Sequence, residues 1–250
     1  MKVWIKNILL ACIVPAIVLV AWIYVTTKGQ ISEGILPTVP DVWKTFLEIV
    51  KTGQLQDDLL ISLSRVVKGY AVSIVCGILL GALIGMSTLA KKALLPIITV
   101  IRQIPVIAWI PLIILWFGIG EESKVVIIVI AAFFPILVNT ESGIEQTPDS
   151  ILEVAKLYKL SSVATFFRVY LPHALPNIFV GLRLGLGASW MAVVASELIA
   201  ASSGIGYRMS DARSLMRADV VIVCMIVIGL IGVLMDKIIG LLFKLLTPWR

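Results

Sequence analysis

EVAKLYKLSSVATFFRVYLP, residues 153–172, is a polar passage in an otherwise oily chain. It carries Glu153, Lys156, Lys159 and Arg168, whereas the segments on either side are almost purely apolar. Of 250 residues, 60% are hydrophobic and 14% charged, and mean hydropathy is +1.05. So few charges cannot cover that much apolar surface in water, which excludes a soluble globular domain and places the chain in a membrane. The question is what a membrane protein needs this polar interruption for.

A hydrocarbon core about 30 Å thick takes roughly 20 apolar residues at about 1.5 Å each. Six runs meet that measure, near residues 8–26, 64–87, 93–119, 125–141, 174–197 and 220–243. Each is expected to be helical, because backbone groups in lipid must be satisfied within a helix or a closed barrel and the runs are too long for barrel strands. The expectation is one all-α transmembrane domain over residues 1–250. Lys2 and Lys6 precede the first run as they would in a signal peptide, but the run is longer than a signal core and no A-x-A-like site follows, so it reads as an uncleaved helix. Lys and Arg divide almost evenly between the two sides, and several of the outer ones sit in the long segment 27–63, where the positive-inside rule is weak. An N-terminus in the cytoplasm is the working orientation, with the C-terminus on the same side. The net charge of +6 suits anionic headgroups, and no aromatic-interleaved basic patch points to nucleic acid.

Chemistry within the chain is not expected. Cys12, Cys76 and Cys224 lie in predicted spans without metal-ligand spacing, His173 is a lone histidine, and no nucleophile motif accompanies it. No catalytic residue, metal or cofactor is assigned.

Gly77, Gly81 and Gly85 line one face of the second span, and Gly181 and Gly185 repeat the spacing in the fifth, with Gly187 and Ala188 nearby. Such faces let helix backbones approach, here within the chain or, alternatively, at a subunit interface. Pro96, Pro105 and Pro111 prevent residues 93–119 from forming one straight helix. Arg102 in that bent span and Arg183 in the fifth lie at matching depth, where a cation needs a partner or water. They either line an anion pathway or its inner gate, or snorkel to headgroups and pair with a nearby carboxylate. Glu197 is expected to pair with Arg208 or Arg213 on the following loop. LPTVPDVWKTFLEIVKTG (36–53) sets Val42 or Trp43, Phe46, Leu47 and Val50 on one face, opposite Asp41, Lys44, Glu48 and Lys51, and predicts a helix lying along the interface. AASSGIGYRMSDARSLMRAD (200–219) reads as an outer loop with a short helix.

Counting spans from a cytoplasmic N-terminus leaves residues 142–173 in the cytoplasm, as the longest segment there. Pro148 and Asp149 signal a helix start, residues 150–159 read as a short helix, Ser161 and Ser162 can cap a second, and Pro172 is expected to stop it. Leu152, Ala155 and Leu157 stand beside charges while Phe166 and Phe167 return toward the membrane, a surface suited to a protein partner.

The passage resembles the EAA loop of permeases of ATP-binding cassette importers, whose pattern is E-A-A, three residues, G, nine residues, I, one residue, L-P. Glu153 and Ala155 match; Val169, Leu171 and Pro172 fall at the right offsets, with valine for isoleucine. Val154 replaces alanine, and Lys159 stands where glycine is usual. LPTVPDVW (36–43), SLSRVVKGY (62–70), IRQIPVIAWIPLIILWFGIG (101–120) and ASSGIGY (201–207) are similar to the branch that imports nitrate, sulfonates and taurine and to related thiamine-precursor carriers. The resemblance implies the six-helix type I importer permease fold in a bacterial cytoplasmic (inner) membrane. It further implies a permease dimer, expected to be of identical chains, two cytoplasmic ATPase subunits and an extracellular or periplasmic solute-binding protein. Glu153, Val154, Ala155, Lys159, Leu160 and Ser161 would then form the ATPase-docking coupling loop. Arg102, Arg183 and Glu197 would be candidates for the translocation pathway or gate, and the cargo would be a small anion. No G-x-x-x-x-G-K-[ST] occurs, so ATP and Mg²⁺ would be bound by the partner ATPase. A secondary carrier and a motor-free scaffold or channel are the alternatives. The scarcity of intramembrane acidic residues disfavours the first, and the loop pattern the second.

Overall fold

The computed structural model describes residues 2–29, 32 and 34–246, with side chains placed within 13–245. Lys2, Lys6 and the side chain of Cys12 lie outside the described side chains. All regular structure among the described residues is helical: α1 (Lys2–Thr27), α2 (Val39–Lys51), α3 (Gln54–Met86), α4 (Thr88–Ile101), α5 (Val106–Phe117), α6 (Glu121–Glu145), α7 (Asp149–Leu157), α8 (Ser162–Thr165), α9 (Leu171–Ala200), α10 (Ile205–Ser214) and α11 (Ala218–Leu246).

Helices α3 and α6, the continuous stretch Ser162–Ala200 and α11 are long and apolar enough to cross a membrane, and the bent pair α4–α5 makes a fifth crossing if counted as one. The described apolar part of α1, Ile13–Thr27, is shorter than a span requires. Helix α3 starts at Gln54, ten residues before the expected 64, because its first turns are polar (Gln54, Gln56, Asp57, Asp58) and escape a test based on apolar length.

Helix α6 lies between α3 and α9, and glycines set the spacing on both sides. A Cβ on Gly81 would stand 2.6 Å from the Leu137 carbonyl, and one on Gly185 would stand 3.0 Å from Ile136. Gly69, Gly77 and Gly85 likewise receive Ile128, Ile136 and Ile144 of α6. The glycine faces are therefore used inside the chain, and the three helices form one close-packed unit. Gly187 is different, with open space where its Cβ would be.

The bend in the third expected span is concentrated at one place. Pro96 and Pro111 are accommodated inside α4 and α5, while the axis turns by 94° between them, at residues 102–105. Pro105 contributes no N–H and pushes the preceding residue out of helical conformation, so the chain restarts rather than continues.

Helix α2 begins at the Thr38 cap, whose Oγ1 accepts the Asp41 N–H at 3.3 Å. It packs against α3 and α11 instead of lying free on the interface, burying Val42, Thr45 and Ile49 and leaving Trp43 and Leu47 exposed. The buried threonine is satisfied by Asp219, to which Thr45 Oγ1 donates at 2.7 Å.

Candidate functional site

Four places in this frame carry the charges of interest: the elbow between α4 and α5, the outward face of α9, and each of the two ends of the bundle.

At the elbow, Arg102 follows the last turn of α4, and the next N–H groups tighten the turn, Gln103 to Val100 O at 3.2 Å and Ile104 to Ile101 O at 3.1 Å. Arg102 and Gln103 line a cavity of about 530 Å³ whose far wall is Phe134, Pro135, Val138 and Asn139 of α6 with Leu184 of α9. Arg102 makes no ion pair among the described residues. Asn139 Nδ2 donates to the Pro135 carbonyl at 2.8 Å, which fixes the amide against the helix. An unpaired guanidinium on the wall of a cavity this size can receive a small anion.

Arg183 is not in that cavity. It pairs with Asp236 of α11, Nε and Nη2 each donating to one carboxylate oxygen. It belongs to a stripe on α9, with Val180, Leu184, Gly187 and Met191, that the chain's own core leaves exposed. Leu184 ties this stripe to the Arg102 cavity, so the two arginines flank one face without meeting. Of the two expectations for Arg183, pairing with a nearby carboxylate is the one found. Asp236 was missed by sequence reasoning because nothing in its local pattern distinguishes it; only the pairing of α9 with α11 does.

Glu197 is a correction. It pairs with neither Arg208 nor Arg213 but with Arg65 of α3, at 2.8 Å. Both are all but fully buried, at 1% and 2% exposure. Ser62 Oγ and the Gly206 N–H also donate to Glu197, at 2.8 and 2.9 Å. Arg65 further donates to Glu121 of α6 and, at 2.8 Å, to the Ser203 carbonyl. Arg208 is held instead by Asp58 and Gln54. The loop fits because Gly204 adopts φ +104° and a Cβ there would stand 2.5 Å from the Glu197 carboxylate. Two separate stretches, SLSRVVKGY and ASSGIGY, thereby become one ion cluster, a long-range pairing that neither stretch discloses alone.

At the opposite end lies the passage 153–172. Helix α7 ends with Lys159 N–H donating to Lys156 O at 2.9 Å and Leu160 N–H to Ala155 O at 3.1 Å, the two crossed bonds that close a helix through a left-handed residue. That residue is Lys159, at φ +53°. Lysine therefore adopts the conformation for which glycine is the unstrained choice, and the turn geometry survives the substitution. Ser161 Oγ then caps α8, accepting the Ala164 N–H at 3.3 Å. Pro172 does not stop the helix, contrary to expectation. A π-helical turn over Phe166–Tyr170 runs directly into α9, and Pro172 sits in the first turn of α9, where a missing N–H is tolerated. Val154, Val163 and Phe167 are exposed here, as are Leu157 at 81% and Tyr158 at 78%. Glu153, Lys156, Lys159 and Arg168 are exposed and make no ion pair among the described residues. Ala155 is buried beneath them.

Residues 73–250 match the family described as binding-protein-dependent transport system inner membrane component. The chain is 36% identical over 247 residues to a protein of Bacillus subtilis (strain 168) named as an aliphatic sulfonates transport permease, SsuC, covering 99% of this chain and 88% of that one. It is 36% identical over 240 residues to the nitrate import permease protein NrtB of Synechocystis sp. (strain ATCC 27184 / PCC 6803 / Kazusa), covering 93% and 87%. In fold it is similar to a chain from the crystal structure of an amino acid ABC transporter with histidines, with a TM-score of 0.63 at 19% identity over 82% of this chain and 98% of that one.

Proposed function

Because the chain belongs to the family of binding-protein-dependent transport system inner membrane components, we propose that it is the permease subunit of an ATP-driven importer whose cargo is a small oxyanion such as a sulfonate, taurine or nitrate. Two copies would form the translocation pathway, with α1 completing a sixth span and both termini in the cytoplasm. Two ATPase subunits, holding ATP and Mg²⁺, would dock from the cytoplasm, and a solute-binding protein would deliver cargo from outside.

The observation that carries this reading is the end at residues 153–163. Val154, Leu157, Tyr158 and Val163 are exposed and its charges make no ion pair among the described residues, on a turn closed by crossed backbone bonds. A surface of that kind is complementary to a protein; Glu153, Val154, Lys159, Leu160 and Ser161 would make up its centre, with Ala155 buried beneath as their support. Helix continuity gives it a mechanical output. From Ser162 to Ala200 the chain is helical for 39 residues, about 58 Å at 1.5 Å per residue, so a displacement at the docking end is carried past the exposed stripe of α9 to the Glu197 cluster. Closing and opening of the ATPase pair would rock the rigid α3–α6–α9 unit against its counterpart and expose the Arg102 cavity alternately to either side.

The test is Glu153→Lys in the assembled complex. ATP-dependent uptake is expected to fall at least about tenfold, the size of effect seen when a contact central to an interface is lost, with the amount of permease in the membrane unchanged. Uptake at the parental rate would defeat the docking role.

A further inference from the structure

The Arg183–Asp236 pair is in an unexpected environment. Both side chains are about half exposed, 56% and 44%, on helices that cross the membrane. Hydrocarbon is a costly surrounding for a pair so placed, so its face must meet protein or water. It stands on the same stripe of α9 as Leu184, which walls the Arg102 cavity. Beside it a small cavity of about 40 Å³ is lined by Arg183, Gly187, Trp190, Gly232 and Asp236, room for about one water molecule. Gly187 has nothing within 4 Å of where its Cβ would stand, so the approach to the guanidinium along α9 is open.

The pairing itself indicates the ligand. Arg183 holds Asp236 through two N–H groups to two oxygens, the planar fork geometry that fits a carboxylate and equally the paired oxygens of a nitrate or sulfonate. We infer that Asp236 is an internal counter-anion, which an oxyanion cargo displaces from Arg183 as it passes. The proposal rests on the importer reading above and adds a selectivity element to it. In the resting protein Asp236 neutralises Arg183, so no uncompensated cation stands at this point on the α9 face. A cargo with two oxygens takes over the fork, and the released carboxylate turns to water in the open pathway. A single-atom anion such as chloride can meet both N–H groups only at bent angles, and so replaces the carboxylate less well than a cargo with two oxygens.

The competing explanation is that the two charges exist only to neutralise each other, and a double substitution separates the two. The complete importer, with its ATPase and binding protein, is reconstituted in vesicles and assayed with radiolabelled nitrate and ethanesulfonate. Co-purification of the ATPase reports that each variant has folded. Arg183→Gln is expected to cut uptake about tenfold or more, and Arg183→Gln with Asp236→Asn to remain as low, because no guanidinium is left to receive cargo. Asp236→Asn alone is expected to raise ATP-independent nitrate exchange about tenfold. Arg183→Lys keeps the charge without the fork, and its apparent KM is expected to rise at least about threefold. Recovery of uptake in the double variant, or an unchanged KM in Arg183→Lys, would overturn the inference. A parental complex whose ATPase responds to the binding protein but that carries neither anion would overturn the oxyanion assignment alone. A parental complex without any ATP-dependent uptake would bring down the importer reading and this inference with it.

Discussion

The two ends of this molecule treat charge in opposite ways. At the Glu197 end, Arg65 and Glu197 are buried and each is satisfied from within the chain: Ser62 Oγ and the Gly206 N–H donate to Glu197, while Glu121 and the Ser203 carbonyl accept from Arg65. At the Glu153 end, four charged side chains that make no ion pair among the described residues, and several large apolar ones, face outward. Burying an ion pair is tolerable only when its hydrogen bonds are complete, and exposing apolar groups is tolerable only when something else covers them. One end is finished by the chain itself, and the other is the end that the proposed function assigns to another protein.

The sharpest way to break this comparison is at the closed end. Glu197→Ala strands Arg65 in the interior and is expected to cost about 3–5 kcal/mol, read as a fall in the Tm of the purified permease or loss of folded material. A Tm within a degree of the parent would mean the cluster contributes nothing. Gly204→Ala should come next, at about 1–3 kcal/mol for a side chain forced into a left-handed position against a carboxylate. The open end should respond differently. Leu157→Ser and Tyr158→Ser are expected to leave the permease's own stability within about 0.5 kcal/mol while weakening ATPase binding about tenfold. A matching loss of stability would show that these residues serve the chain's own fold. The smallest effect is expected from Lys159→Gly, which removes a left-handed strain of about 1 kcal/mol against the greater freedom glycine has when unfolded. Thermal stability should therefore change little, with uptake retained. Loss of uptake would instead assign the lysine side chain a direct role.

What sequence could and could not disclose follows the same division. Apolar length located the long helices, because lipid imposes that requirement segment by segment, but it set the start of α3 too late since the polar turns around Asp57 and Asp58 project beyond the apolar run. The start of the helix at Asp149 and the cap at Ser161 were readable from Pro148, Asp149 and the serine pair, since a helix start and an N-cap are local events. Pro172 was misread as a stop because the widened turn over Phe166–Tyr170 that accommodates it has no local signature. The partners of Glu197 and Arg183 were out of reach for another reason. Arg65 is 132 positions away from Glu197 and Asp236 is 53 from Arg183, and only the packing of α9 between its neighbours decides which carboxylate meets which arginine.

The central claim, that the end at residues 153–163 is completed by an ATPase, is tested most directly by placing a photo-crosslinking amino acid at Tyr158 in native membranes. A second probe at Met216, exposed just after α10 near the Glu197 end, serves as the reference. Illumination is expected to join Tyr158 to an ATP-binding cassette subunit, identified by mass spectrometry, and to give no such adduct from Met216. Adducts with that subunit from Met216 but not from Tyr158, or lipid adducts alone at Tyr158, would contradict the account.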